Sequence, residues 1–321
     1  MNSVDRQAAL WRLRTRTMEL GRRTLVMGVV NITPDSFSDG GLFIDPERAV
    51  VHGLALLDEG ADILDLGAES TRPGSQAGGA AGTPLAPTVH PIDVNLSLGT
   101  PAVSTEEEQA RLLPVLEGII RSRPGAIVSV DTYKAATARA ALAAGAEIVN
   151  DVSGFGWDAE MAGVCAASRC GVVLMHSRGR PEEWRGLPKL EPHALLATVR
   201  GGLAASLAIA DRAGVPAEAI VLDPGYGFGK RFDENYALLA RQAELLSLGR
   251  PLLAGVSRKS FLGRSLAPFY GGQDAPVEAR EAASLAAMVA AILHGASIVR
   301  VHAVRPAVEA ARIADAVLAA G

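Results

Sequence analysis

The chain has 321 residues, a formal net charge of −4 at pH 7 and a hydrophobic fraction of 49%. That charge argues against a general binder of nucleic acid or of an acidic membrane surface, and no uninterrupted apolar run reaches the roughly 18 residues of a bilayer span. Two cysteines, Cys165 and Cys170, exclude a disulfide framework and make a reducing, cytoplasmic setting the simplest expectation.

The first 23 residues carry six arginines, at 6, 12, 14, 16, 22 and 23. Asp5, Glu19 and the lack of an apolar core count against a targeting signal, so residues 1–23 are expected as a lead-in segment of plain helix and strand. Eight short apolar runs follow, at 25–30, 63–66, 126–130, 148–149, 172–175, 219–222, 252–256 and 297–301. Helical character, with apolar residues recurring at three and four spacings, lies at 46–58, 105–121, 135–144, 159–168, 193–212, 234–246, 277–293 and 306–318. Asp45-Pro46 puts proline at the first helical position. Ser104 with Glu107 reads as a capping box, and Gly145, Gly171, Gly214 and Gly295 stand where helices should stop before a strand.

Strand then helix, repeated eight times, predicts parallel strands with right-handed crossovers. An open, doubly wound sheet is the alternative, but it does not place chemically useful residues at nearly every strand end. Here the runs stop at Asn31, at Gly67 and Glu69, at Asp131, at Asn150 and Asp151, at His176, at Asp223, at Ser257, Arg258 and Lys259, and at His302. The expected fold is therefore α/β: a single-domain (β/α)8 TIM barrel over residues 24–321, with one site at the C-terminal ends of its strands. Residues 76–103, rich in Ala, Gly, Pro and Thr, break the rhythm as a long insertion after the second strand.

Several loops carry chemistry. Residues 31–41, NITPDSFSDGG, combine a Thr-Pro turn, a Gly-Gly hinge and one apolar residue, Phe37; they read as a lid over a substrate, or as a loop tip anchored by Phe37. In 69–74, ESTRPG, Thr71 and Arg72 offer donors to an anion. Residues 223–230, DPGYGFGK, lack the spacing of a P-loop or a dinucleotide fingerprint. They suit close backbone approach to a flat ligand, with a structural turn as the alternative. Asp131, Asn150 and Asp223 close three strands, and three acceptors together suit a donor-rich ring such as a 2-amino-4-oxo heterocycle. Lys259 would complement that ring's own acceptors. Arg300 and His302 share one side of the last strand and form an anion site or a structural pair; Ser257, before an expected helix start, offers a second anion contact. His52, His90, His193 and His294 lack ligand spacing, and no zinc motif is present.

Taken together these motifs resemble the dihydropteroate synthases of folate biosynthesis. The matching pieces are NITPDSFSDGG, GAESTRPGS, VSVDTYK, IVNDVSG, VLMHSRG, DPGYGFGK, GVSRKSFLG and VRVH, in the family order across roughly residues 24–305. The resemblance implies a transferase that joins 6-hydroxymethyl-7,8-dihydropterin pyrophosphate to 4-aminobenzoate, releasing pyrophosphate. It implies that Asp131, Asn150, Asp223 and Lys259 hold the pterin, with Met175 lining its pocket. Asn31, Thr71, Arg300 and His302 would engage the pyrophosphate, with Asn31 on its Mg2+. Phe37, Thr71, Arg72, Pro73, Phe228 and Ser257 would shape the aminobenzoate site. Asn31, Asp131, Lys259, Arg300 and His302 would carry the catalysis. A homodimer acting on small molecules, with neither nucleic acid nor membrane as partner, and inhibition by sulfonamides are also implied. The insertion 76–103 departs from the family pattern, which passes from STRPG to the next helix within a few residues. Two rivals remain in view: a pterin-dependent methyltransferase, which needs neither the TPDSF loop, the SRK motif nor the Arg-x-His site, and a non-catalytic pterin-binding paralogue, favoured only by the insertion.

Overall fold

A computed structural model describes residues 6, 8–33, 45–69 and 103–320. Within them the chain forms a small antiparallel hairpin followed by a closed barrel of eight parallel strands. The hairpin strands are β1 (Ala9–Arg12) and β2 (Thr17–Leu20). The barrel strands are β3 (Leu25–Asn31), β4 (Ile63–Gly67), β5 (Val128–Asp131), β6 (Ile148–Asp151), β7 (Gly171–Met175), β8 (Ile220–Asp223), β9 (Leu252–Ala254) and β10 (Ala296–Val301). They neighbour one another in chain order, and β10 closes on β3. The helices are α1 (Pro46–Asp58), α2 (Thr105–Ser122), α3 (Ala135–Ala143), α4 (Met161–Ser168), α5 (Pro192–Ala213), α6 (Phe232–Arg241), α7 (Ser260–Ser265), α8 (Glu281–Leu293) and α9 (Val304–Ala320).

The strands read as apolar runs because both faces are covered. One set of side chains meets the helices; the other, including Met27, Ile63, Ile148, Val173, Val221, Leu253 and Ile298, fills the barrel interior. The hairpin joins that interior cluster from below through Trp11, Leu13 and Leu20. Trp11 is 1% exposed, and its indole N–H donates to Ala219 O at 2.9 Å. A Cβ on Gly171 would lie 2.6 Å from Leu13 Cδ2, so a larger residue at the foot of β7 would have to displace the Leu13 side chain. The hairpin corrects the expected N-terminal helix. Trp11 and Leu13 are buried against the barrel while Leu10, Arg12 and Arg14 face outward, which is a period of two and not the helical spacing. The arginines that looked like a basic segment instead pin the hairpin to the barrel: Arg6 reaches Asp315 at 2.5 Å, and Arg14 reaches Ala146 O at 2.9 Å.

Other boundaries shift for local reasons. Asp45 caps α1, accepting from Glu47 N at 2.9 Å, and Ser104 caps α2, accepting from Glu107 N at 3.1 Å. The Glu107 side chain pairs with Arg111 one turn on. Gly145, Gly214 and Gly295 do follow helix ends with positive φ, but Gly171 is already strand, and Arg169 takes the left-handed position after α4. The stretch 234–246 divides into α6 and a 3-10 turn, Gln242–Leu248; 277–293 begins as a 3-10 turn, Val277–Arg280. Helix α5 is long and apolar enough to cross a membrane by length and composition, a property the uninterrupted-run criterion overlooked because Arg200 divides it. In the barrel its Leu195, Leu196, Val199, Leu203 and Ala210 face the core.

Candidate active site

Strand register decides which side chains meet at the mouth. Asn31 is level with Gly67, Gly67 with Asp131, and Asp131 with Asn150, so the ends of β3 to β6 form one row. Met175 at the end of β7 is level with Asp223 at the end of β8. Two residues below Gly67, and on the same face of β4, lies Asp65, fully buried.

Asp65 holds the row together. Its Oδ2 accepts from Arg300 Nε at 2.6 Å and from Asn150 Nδ2 at 3.0 Å, joining β4 to β10 and β6 across the barrel. Arg300 Nη2 donates to Asp131 Oδ2 at 2.8 Å. Asp65 Oδ1 and the hydroxyl of Ser129, its register neighbour on β5, accept no hydrogen bond among the described residues. One guanidinium thus stands between two carboxylates. Burial raises the Asp131 carboxyl to about 7; Arg300 opposes that rise and Asp65 adds to it. Burial disfavours the Arg300 charge, but Asp65 and Asp131 outweigh it and raise its pKa above the ordinary value. Burial also raises Asp223, against the Gly225 N–H, which it accepts at 2.7 Å, and the nearby Lys259 and Lys230.

Above this row lies an apolar wall of Tyr133, Val152 and Met175, with Trp157 and Phe228 packed against it. Lys259 Nζ, on the loop after the neighbouring β9, sits 4.0 Å from the centroid of the Phe228 ring. Ser257 and His302 meet directly: the Ser257 hydroxyl lies 3.0 Å from His302 Nδ1 and accepts from the His302 backbone N–H at 3.3 Å. The helix expected after Ser257, α7, starts at Ser260 and has only six residues.

The structure therefore brings together Asn31, Asp131, Asn150, Met175, Asp223, Phe228, Ser257, Lys259, Arg300 and His302 around the mouth. Arg300 and His302 have different partners, carboxylates for one and a hydroxyl for the other. Phe37, Thr71, Arg72 and Pro73 lie outside the described residues, as does nearly all of the insertion. Its flanks are fixed, however. Glu69 accepts from Val103 N at 3.3 Å and from Tyr133 Oη at 3.1 Å, and Lys134 Nζ donates to Glu69 at 2.7 Å and to Val103 O at 2.6 Å.

Two residues, Asp65 and Lys230, escaped the sequence reading. Asp65 sat inside a run counted as apolar; an acid within a buried strand is itself the signal, because such a charge is almost never buried unpaired. Lys230 closes the glycine-rich loop from beneath. Asp151, a strand-end acid like the others, turns inward as a local cap: it accepts from Ser153 N and Phe155 N, both at 2.8 Å, while burial raises it to about 6. His176 is buried as well, and burial lowers its pKa well below the ordinary range, so it stands neutral.

Similarity to known proteins agrees with this geometry. The pterin binding enzyme family matches residues 27–82 and 87–302. A dihydropteroate synthase of Mycobacterium leprae is 41% identical over 304 residues, covering 92% of this chain and 94% of its own. The Xanthomonas albilineans dihydropteroate synthase solved with 4-aminobenzoic acid superposes with a TM-score of 0.79 at 37% identity, covering 98% of this chain and 99% of its own. The Yersinia pestis enzyme solved with a sulfonamide drug complex gives a TM-score of 0.80 at 34% identity, covering 97% and 100%. With its register, its carboxylate row and this similarity along nearly its whole length, the chain belongs to the dihydropteroate synthases, transferases of folate biosynthesis within the pterin-binding enzymes.

Proposed function

We propose that the dihydropteroate synthase reaction of this chain, condensation of 6-hydroxymethyl-7,8-dihydropterin pyrophosphate with 4-aminobenzoate, takes place at the carboxylate row of the barrel mouth. The observation that carries this reading is the level arrangement of Asn31, Asp131 and Asn150, with Asp223 opposite and Arg300 between Asp65 and Asp131. Asp131, Asn150 and Asp223 accept from the pterin's N–H groups, and Lys259 donates to its acceptors. A ligand that brings donors to Asp131 favours the ionised form over the protonated one that burial favours. Met175, Tyr133 and Val152 cover the ring's flat face.

Arg300 and His302, with Asn31, engage the leaving group. Two of the five donors of Arg300 are held by carboxylates, so it serves first as their counter-charge and then, with the remaining donors, as an anion contact. Ser257 orients His302 through Nδ1. The arylamine is a weak nucleophile, and among the described residues no side chain is placed to activate it strongly. The row instead supports positive charge developing on the pterin methylene as pyrophosphate leaves. Phe228, Ser257 and, by motif, Phe37, Thr71, Arg72 and Pro73 shape the aminobenzoate site; a closed site keeps water from the cation.

Mg2+ fits this mouth as a companion of the substrate. Among the described residues no group of three His, Cys, Asp or Glu could hold a metal, and Asn31 offers one neutral oxygen. Mg2+ commonly keeps several waters and substrate phosphate oxygens. When bound it would neutralise charge on the pyrophosphate. We further propose a cytoplasmic homodimer, residues 24–321 as one domain behind a lead-in of 1–23, and the insertion 76–103 as a surface excursion whose flanks Glu69 and Val103 hold. Mixing the protein with both substrates and Mg2+ tests the reading: pyrophosphate and dihydropteroate should form together, and no pyrophosphate release would overturn it.

A further inference from the structure

Lys230 ends the glycine-rich loop and is buried beneath it, 6% exposed. Its ammonium donates to three backbone carbonyls: Gly225 O at 2.8 Å, His176 O at 3.0 Å and Phe228 O at 3.1 Å. In its charged form Lys230 has three N–H donors and no acceptor, so these bonds use it completely and none points toward a ligand. Two of the carbonyls belong to the loop, and the third lies at the end of β7. At that junction the loop is pressed tight. Gly225 adopts φ +71°, and a Cβ there would lie 2.0 Å from His176 O. Other bonds hold the same loop from outside: Gly227 N donates to Asn235 Oδ1 at 2.7 Å, and Arg178 N to Phe228 O at 3.4 Å.

The side chain held in this way is Phe228. Its ring meets Trp184 edge-on at 5.4 Å and carries the Lys259 ammonium over its face. A buried charge is costly unless fully hydrogen-bonded, and an ordinary turn does not require one. We propose that Lys230 is a positioning residue, which through its three carbonyl bonds fixes Phe228, and with it Lys259, in the places that aminobenzoate and pterin binding need. This rests on the assignment of Phe228 to the aminobenzoate site, and the test separates the two.

Steady-state kinetics on Phe228→Ala, Lys230→Met, Lys230→Gln and the Phe228→Ala/Lys230→Met double variant decide it. Phe228→Ala should raise the KM for 4-aminobenzoate; an unchanged KM overturns the site assignment and the proposal with it. Lys230→Met leaves three carbonyls without their donor and should raise that KM about tenfold or more, the scale of losing a hydrogen bond to a charged group. In the Phe228→Ala background the same substitution should add no more than about twofold, the ordinary error of additivity. Effects that simply multiply, or a Lys230→Met KM near that of the parent while Phe228→Ala raises it, overturn the positioning role. Lys230→Gln keeps two donors and should raise KM less than Lys230→Met; equal damage counts against the proposal. Where the Met variant fails to fold, the Gln variant is read in its place in the same cycle with Phe228→Ala, with the same outcomes for and against.

Discussion

The two ends of the barrel solve opposite problems. At the foot, Trp11, Leu13 and Leu20 close an apolar interior, and nearby charges have short, complete pairings: Thr24 N and its hydroxyl both donate to Asp315, and Thr15 donates to Glu147. At the mouth, Asp65, Asp131 and Asp223 crowd around Arg300, one Asp65 oxygen has no donor among the described residues, and burial works against the Asp131 and Asp223 charges. The foot gains stability from burial; the mouth gives some up to hold several acceptors together.

Substitutions at the two ends should therefore separate stability from activity. The largest effect is expected from Trp11→Ala, which removes the barrel's plug and should cost about 3–5 kcal/mol in denaturant unfolding, while kcat/KM of the folded protein stays near the parent value. Asp223→Asn should do the reverse. Pterin affinity, measured by calorimetry, should weaken by about 1.5–3 kcal/mol with no loss of unfolding free energy; parental affinity would refute the acceptor role. A pH series sharpens the contrast. Asp131 rises from 3.8 to about 7 in the folded state, so its contribution to stability is complete below the unfolded value and is lost as pH rises through about 7. Lys230 falls from 10.5 to about 7, so its penalty is complete below that value and is relieved as pH rises toward 10.5. The two together place a minimum in the mouth's contribution near neutral pH. Urea midpoints across the range should show a declining acid limb in the parent and a flatter one in Asp131→Asn. The smallest effect is expected from Arg23→Ala at the foot. Its pairing with Asp62 at 2.5 Å is 60% exposed on the arginine side, and its loss should change unfolding free energy by less than about 1 kcal/mol.

The sequence carried the mouth better than the foot. Strand-end residues such as Asn31, Asp131, Asn150 and Asp223 were legible because apolar runs stop at them, and parallel register then makes them level. Asp65 was hidden because its partners, Arg300 and Asn150, lie 235 and 85 residues away. An acid inside an apolar run marks the position but not its partners, which closing the barrel brings to it. Lys230 was hidden differently: its partners are backbone carbonyls, which every sequence has. The hairpin was misread because four-residue strands with alternate burial are too short to outweigh a basic composition. The exchange of a helix for a hairpin left the barrel expectation intact, since the foot contributes packing and not chemistry.

Asp131→Asn separates reading the substrate from holding the barrel, because it keeps the shape and removes one half-buried charge. Urea unfolding and pyrophosphate release should be measured on the same preparation at slightly alkaline pH, where the parent carboxyl is ionised. The unfolding free energy should equal or exceed the parent's, because Arg300 keeps Asp65 as partner, while turnover should fall about tenfold or more, as expected for a lost charged acceptor. A variant that turns over like the parent but unfolds several kcal/mol more easily would show that the carboxylate row holds the barrel together and does not read the substrate.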